Sequence, residues 1–266
     1  MTDNRQLTEA PPLTDRQRDV RDAFIRRRGY WADDWDLINR LDVDFMSAYT
    51  ELSSYAKEHG SLDEKTREFV YIATCASVTH CFVIGIRQHM RNALDVGATP
   101  AELLAVLEVL STMGVASWHL AVEELEHAKA GSSSERQASD AEIEKLKTSY
   151  VAIFGVWDPD IESAMRADPG YYEAYLGLAA VPRTMSRAIT PRQAALVSLS
   201  ANACVTHMDR SALRRDVSSA LHYGATPGEI KEVCAIISGI GVHALSLGVP
   251  ALAEILAERG RTPYDG

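Results

Sequence analysis

Sliding the chain along itself by 127 residues places Gly97-Ala98-Thr99-Pro100 on Gly224-Ala225-Thr226-Pro227 and Val78-Thr79-His80 on Val205-Thr206-His207. The same shift matches Val70 with Val197, Arg87 with Arg214, Ala93-Leu94 with Ala220-Leu221, Glu102 with Glu229, and Gly114-Val115 with Gly241-Val242. Upstream, a shift of 126 aligns Asp42 with Asp168 and Ala48-Tyr49 with Ala174-Tyr175. An internal repeat constrains a fold more than any local propensity, because both copies must adopt one architecture. At roughly 100 residues per copy the chain is a duplicated domain and not a solenoid. The expected organisation is a polar N-terminal arm over 1–29, a first unit over 30–128, a linker over 129–148 and a second unit over 149–261. The linker assignment rests on Gly-Ser-Ser-Ser at 131–134 and mixed charges around it.

Each copy reads as helical. Thr99-Pro100-Ala101-Glu102 has the form of a capping box, with Thr99 as N-cap, proline in the first helical position and Glu102 in the third. Thr226-Pro227-Gly228-Glu229 repeats it. After the first cap, Leu103, Leu104, Val106, Leu107, Leu110 and Met113 recur at helical spacing. Gly97 and Gly224 precede the caps, where a glycine closes the helix before. The segment from about Thr66 to Thr79 is apolar nearly all round and is expected to be a central, buried helix. No segment shows the period-two alternation of a strand. The expected class is all-α: two fused helical units related by a pseudo-two-fold axis, their buried helices sharing one core.

Composition narrows the function classes. A formal net charge of −10 speaks against a general nucleic-acid binder. No apolar run approaches the ~18 residues of a membrane span, and the polar, arginine-rich segment 1–29 offers nothing like a secretory signal. Cys75, Cys81, Cys204 and Cys234 form no dense framework. A cytoplasmic protein with reduced thiols is expected.

The order of features carries a resemblance. A buried helix begins after Leu62-Asp-Glu-Lys-Thr-Arg-Glu68. A polar break with Thr79-His80 follows, then Arg87-Gln88-His89-Met90-Arg91-Asn92-Ala93-Leu94, then Gly97-Ala98-Thr99 and a capped helix. This resembles the carboxymuconolactone decarboxylase family, strongly over about residues 40–128 and more weakly over 155–258. The resemblance implies a small helical domain that oligomerises, a fused pair here acting as an internal dimer. The expected assembly is a homo-oligomer, a trimer or a dimer. It implies a cofactor-independent, metal-free lyase or isomerase for a small cyclic carboxylated substrate, lactone or aromatic-derived, as in aromatic compound catabolism.

Within the wider superfamily a second branch resembles the alkyl hydroperoxide reductase D type, which uses a Cys-x-x-Cys dithiol before the motif histidine. Aligned on His89, those positions hold Phe82 and Gly85, and in the second copy Asp209 and Ala212. Cys81 has no partner two residues on, and disulfide exchange needs a resolving thiol. A thiol redox protein, or a catalytically degenerate oligomeric module, is the alternative reading.

Decarboxylation of such a substrate requires carboxylate binding, stabilisation of an enolate oxygen and delivery of a proton to carbon. Arginine suits the first, a directed hydrogen-bond donor the second and histidine the third. The catalytic candidates are therefore His89, His80 and Arg87, with Arg91, His207, Arg214, His243 and His119 as substrate-binding candidates. Each has a plainer reading: His80 and His207 as caps on a buried helix, Arg87 and Arg214 as solvated arginines. His243 and His119 are candidates to line a pocket between copies, His243 by reaching across the pseudo-two-fold. Glu68 is read as an exposed carboxylate at a helix start, able also to orient a histidine. Asp216 replaces His89 in the second copy. An ionised carboxylate there should repel an anionic substrate, though it could serve as a partner holding a neighbouring arginine or histidine, and Asp216→Ala is expected to do little beyond a modest change in stability. No metal-binding spacing, phosphate loop or nucleophile elbow is present. Tyr30, Trp31, Trp35 and Tyr49, echoed by Trp157 and Tyr171-Tyr172, read as packing lids or as pocket walls.

Overall fold

The computed structural model describes residues 10–128 and 138–264. The helices are α1 (Asp15–Arg28), α2 (Asp33–Leu41), α3 (Val43–His59), α4 (Glu64–Ala76), α5 (Val83–Asp95), α6 (Pro100–Ser111), α7 (Val115–Ala128), α8 (Asp140–Phe154), α9 (Glu162–Ala167), α10 (Pro169–Ala180), α11 (Pro191–Ala203), α12 (Arg210–His222), α13 (Pro227–Ser238) and α14 (His243–Glu258). No strand occurs among the described residues, so the fold is all-α. Contacts divide the chain into two compact units, one of residues 1–60 with 239–266 and one of residues 61–238. The larger unit takes helices from both sequence copies.

The smaller unit is built on α1, α2, α3 and α14. Within the polar stretch 1–29, Thr14 caps α1 reciprocally with Gln17: the Gln17 N–H donates to Thr14 Oγ1 at 3.3 Å and the Thr14 N–H to Gln17 Oε1 at 2.9 Å. Only Val20 and Phe24 of that helix are buried, which is why its composition looks like that of an arm. Phe24 is fully enclosed, with Trp35 edge-on at 4.4 Å, Trp31 at 5.6 Å and Tyr30 at 5.9 Å. Leu245 and Val249 of α14 pack on the same cluster. This aromatic group is a core.

The larger unit centres on α4 packed against α11. Phe69, Val70 and Ile72 of α4 are wholly inaccessible, as are Leu196, Val197 and Leu199 of α11; full burial of each such side chain is worth about 1.5–3 kcal/mol. Residues of α4, α6 and α11 fill one core. Polar groups in that contact are satisfied: the hydroxyls of Thr74 and Ser200 lie 2.9 Å apart, Ser200 donates to the Val70 carbonyl at 3.1 Å, and Gln193 Nε2 donates to Thr66 Oγ1 at 3.0 Å. Arg67 and Glu232 form a buried ion pair at 2.8 Å, and Glu232 also accepts the N–H groups of Ser61 and Leu62. These bonds supply the partners without which a buried pair is destabilising.

Structural features recur at the sequence offset. Both capping boxes form, and Glu102 and Glu229 each also take a cation, Lys65 and Arg192. Gly97 and Gly224 close α5 and α12 at φ +85° and +87°, a conformation that disfavours any side chain. In the turn after α4, the N–H groups of His80 and Cys81 donate to the Ser77 carbonyl and that of Phe82 to Cys75. After α11, those of His207 and Met208 donate to Cys204 and that of Asp209 to Asn202. Cys81 and Met208 both take left-handed φ, +51° and +52°.

Some expectations needed adjustment. α4 ends at Ala76, so Thr79 and His80 stand in the turn beyond it. Helix α8 occupies residues 140–148 of the expected linker, whose first part, 129–137, lies outside the described residues. Two helical stretches, Pro100–Ala128 and Pro227–Glu258, are long and apolar enough to cross a membrane by length and composition. That corrects the reading that no segment approaches such length. In the first, Leu103, Val106, Val109 and Leu110 fill the protein core instead.

Candidate active site

The face of α5 that meets α4 is set by its small residues. A Cβ on Gly85 would lie 2.6 Å from Cys75 Sγ and 2.8 Å from the Phe82 ring, so glycine lets the two helices close here. One turn further along α5, that approach buries His89, which retains 6% of its surface.

His89 is held by Glu68 and Tyr71. Its Nδ1 donates to Glu68 Oε2 at 2.8 Å, and its ring stacks on Tyr71 at 4.4 Å with the planes 5° from parallel. Glu68 is fixed in turn by Asn92, whose Nδ2 donates to the same oxygen at 3.4 Å, and Asn92 Oδ1 accepts from Gln88 at 2.8 Å. A carboxylate on Nδ1 sets the tautomer of the ring, with the proton on Nδ1. Glu68 is thus no exposed helix-start carboxylate. It lies inside α4, with its side chain 16% exposed. Its correct role follows from α4 beginning at Glu64, so that Glu68 and Tyr71, three residues apart, share the face turned to α5.

The other candidates are distributed unevenly. His80 stacks on Phe82 at 5.8 Å, and burial lowers its pKa. Arg87 and Arg91 are exposed and form no ion pair among the described residues; being two residues from His89 on a helix, they occupy other faces of it. Arg214 is exposed and paired with Asp160 at 3.0 Å. His207 is half-buried, its Nε2 enclosed without a hydrogen-bond partner. His243 opens α14 in the smaller unit. His119 bonds through Nε2 to the Tyr172 hydroxyl at 3.1 Å. Burial first, and then the nearby Arg215, push its pKa down to about 4, so it is neutral at physiological pH.

Asp216, which replaces His89 in the second copy, is 2% exposed and not a free charge. Arg215 donates Nε and Nη2 to Oδ1 at 2.9 and 2.8 Å, and Asn202 donates to Oδ2 at 2.6 Å. The expectation that its removal is nearly harmless does not fit this burial, because Arg215 would be left buried without its counter-ion. Of the thiols, Cys75 is buried and pushed up to about 12, chiefly by that burial, whereas Cys81 is exposed. A thiol so raised is a poor nucleophile. Among the described residues, no three His, Cys, Asp or Glu side chains converge as a metal site requires.

Comparison with known proteins identifies the family. The sequence pattern of the carboxymuconolactone decarboxylase family matches residues 44–126, which include Glu68, Tyr71 and His89. A crystal structure from Burkholderia xenovorans LB400, described as a "putative gamma-carboxymuconolactone decarboxylase subunit", superimposes with a TM-score of 0.85 at 32% sequence identity. The match covers 93% of this chain and all of that one. No curated protein matches the chain. With one family spanning the His89 site and a neighbour spanning nearly the whole fold, the chain belongs to the carboxymuconolactone decarboxylase family.

Proposed function

We propose that the protein is a cofactor-independent lyase that decarboxylates a small cyclic, lactone- or aromatic-derived acid, with His89 as the proton donor. The observation that carries this reading is the Glu68–His89 pair clamped by Tyr71. In such a reaction the bond from ring carbon to carboxylate breaks and carbon dioxide departs. The electron pair delocalises through the ring alkene onto the lactone carbonyl. Collapse of that enolate takes a proton at carbon from His89 Nε2, and solvent restores it. Glu68 holds the imidazole in position. Arg87 and Arg91, exposed on other faces of the same helix and without an ion pair among the described residues, are the cations offered to the substrate carboxylate where it reaches past that helix, with His80 as the further candidate.

The same reading includes a homo-oligomer, a trimer or a dimer, in the cytoplasm. Val78, Val83 and Ile84 flank His80 and are 57%, 54% and 46% exposed, more apolar surface than a loop beside a reaction site leaves to water. The test is carbon dioxide release from carboxylated five- and six-membered lactones. His89→Ala should lower kcat ~100-fold or more, the scale of general acid–base catalysis. Glu68→Gln, which keeps the shape but not the charge, should lower kcat about tenfold with KM little changed. Full turnover in His89→Ala would overturn the assignment. So would silencing of the wild-type protein by alkylation of its cysteines.

A further inference from the structure

Two helices, one in each unit, carry an outward stripe that repeats with the duplication. In α3, Phe45, Ala48, Leu52, Tyr55 and His59 are all exposed and follow one another at steps of three, four, three and four residues. In α10 and the π turn Val181–Met185 that continues it, Tyr171, Ala174, Leu178, Val181 and Met185 do the same. The shift of 126 relates the two sets position by position. Equivalent caps fix their registers: the Phe45 N–H donates to Asp42 Oδ1 at 2.8 Å and the Tyr171 N–H to Asp168 Oδ1 at 3.0 Å.

Alternating steps of three and four give a mean repeat of about 3.5 residues, that of the a and d positions of a coiled coil, and a helix face with this repeat is covered by another helix. Neither stripe is the inward face of its own helix. Met46, Thr50 and Ser54 are the buried side of α3, and Tyr172, Leu176 and Ala179 that of α10. The large apolar members of the outer stripes are 37–57% exposed in the first copy and 37–67% in the second. In α3 the His59 ring stacks on Tyr55 at 4.2 Å and lengthens the stripe. Helix α10 holds one charged residue, Glu173, among its 12. A helix so apolar all round is made to be buried, yet its outer face is open.

We propose that these stripes are the seams through which copies of this chain assemble, the α10 stripe of one chain packing on the α3 stripe of another. The proposal deepens the homo-oligomer reading by naming its surfaces and does not depend on the chemistry at His89. One observation that selects this partner is Gly177, exposed in the middle of α10 beside Leu178. Its φ is not positive, and a Cβ there would meet nothing within 4 Å. Glycine inside a helix is disfavoured relative to alanine, and the packing of this chain gives no reason for it. A side chain of a second chain resting on the α10 backbone does.

The borders of the two seams select the pairing. Asp44, Glu51 and Glu58 each stand one residue before a seam position of α3, and these three carboxylates share two arginines of α1, Arg16 and Arg27. The corresponding border of α10 is Gly170, Gly177 and Thr184, small and uncharged. An α3–α3 contact would set two such acidic borders together, which like-charge repulsion disfavours. Against α10 the acidic border meets no charge, and the glycines leave room for Phe45 and Tyr55. The pairing also repeats, because every chain offers both seams and a head-to-tail contact uses both.

The test is cross-linking of the full chain with its exposed thiols, Cys81 and Cys234, changed to serine. Leu52 and Leu178 are the middle positions of their seams, so they come together whether the helices run parallel or antiparallel. Co-expressed Leu52→Cys and Leu178→Cys chains should form a disulfide-linked pair of chains on oxidation with diamide, and each variant alone about tenfold less. Light scattering gives a second readout. Leu178→Glu, a change at an exposed site, should lower the mass of the assembly at micromolar concentration, whereas Leu104→Glu, as exposed on α6 but off both seams, should not. A monomeric wild-type protein would overturn the homo-oligomer reading and the seams together. An assembly that survives Leu178→Glu, that cross-links through Leu52→Cys alone, or that Leu104→Glu disperses equally would keep that reading and overturn the seams.

Discussion

The neighbourhoods of His89 and of Asp216 occupy equivalent places in a duplicated sequence, yet they solve opposite physical problems. Around His89, a carboxylate partner and a stacked tyrosine hold a group that can change its charge. Around Asp216, an arginine and an asparagine lock a charge so that it stays fixed. What the two share is framework: the turn hydrogen bonds, the left-handed residue after each buried helix, the capping boxes and the helix-ending glycines. Duplication preserves backbone solutions, which leave few substitutes. A side chain in a pocket can drift as long as its neighbours drift with it. The replacement of Glu68 by Ala195 and of His89 by Asp216 is one coupled change, since either alone would leave two carboxylates together or a histidine without its orienting partner.

The comparison is broken most directly by removing the locked charge. Asp216→Ala should destabilise the protein by about 3–5 kcal/mol, read from the midpoint of chemical denaturation, because Arg215 remains buried and uncompensated. A loss below about 1 kcal/mol would show that water reaches that arginine.

A smaller effect separates the two neighbourhoods by pH. His119 has its folded pKa depressed to about 4, while the unfolded chain has the ordinary value near 6.5. Between these values the unfolded state binds the proton and the folded state does not, so stability falls as pH drops from 6.5 toward 4. With its partial exposure discounted, this contribution is about 2 kcal/mol. His119→Gln should flatten that limb of the stability–pH curve, and an unchanged limb would assign it to other groups.

The smallest effect sharpens the contrast between Gly85 and its counterpart Ala212. Gly85→Ala should cost about 1–2 kcal/mol, since the new Cβ meets Cys75 Sγ and Phe82. Adding Cys75→Ala should return part of that loss, as a double-mutant cycle would report. Additive costs would place the strain in Phe82 instead.

How much of this was legible beforehand depended on the range of the interaction. The capping boxes, Gly97 and Gly224 were readable because their partners lie within four residues in sequence. His89 was singled out by its place in the motif, and the structure buries it against Glu68. Glu68 was misplaced because its role depends on where α4 starts, and its partner is 21 residues away on another helix. The helix α1 was hidden because two buried residues, Val20 and Phe24, leave a polar composition. That Asp216 could hold a neighbouring arginine was readable, but not its burial, because adjacent residues on a helix point to different faces in general. Nothing in the sequence shows that the Arg215 side chain folds back onto it in a space closed to water.

The sequence by itself therefore determined the all-α class, the capping boxes with their helix-ending glycines, and the family, which rest on local backbone chemistry and motif order. The tertiary structure decided which polar groups face one another and which of them are dry. Helix packing sets both, through close approaches such as Gly85 on Cys75 that bring distant residues together and exclude water. Because the interaction of two polar groups depends on their separation and on the surrounding dielectric, a carboxylate meets an imidazole at Glu68 and His89 and a guanidinium at Asp216 and Arg215.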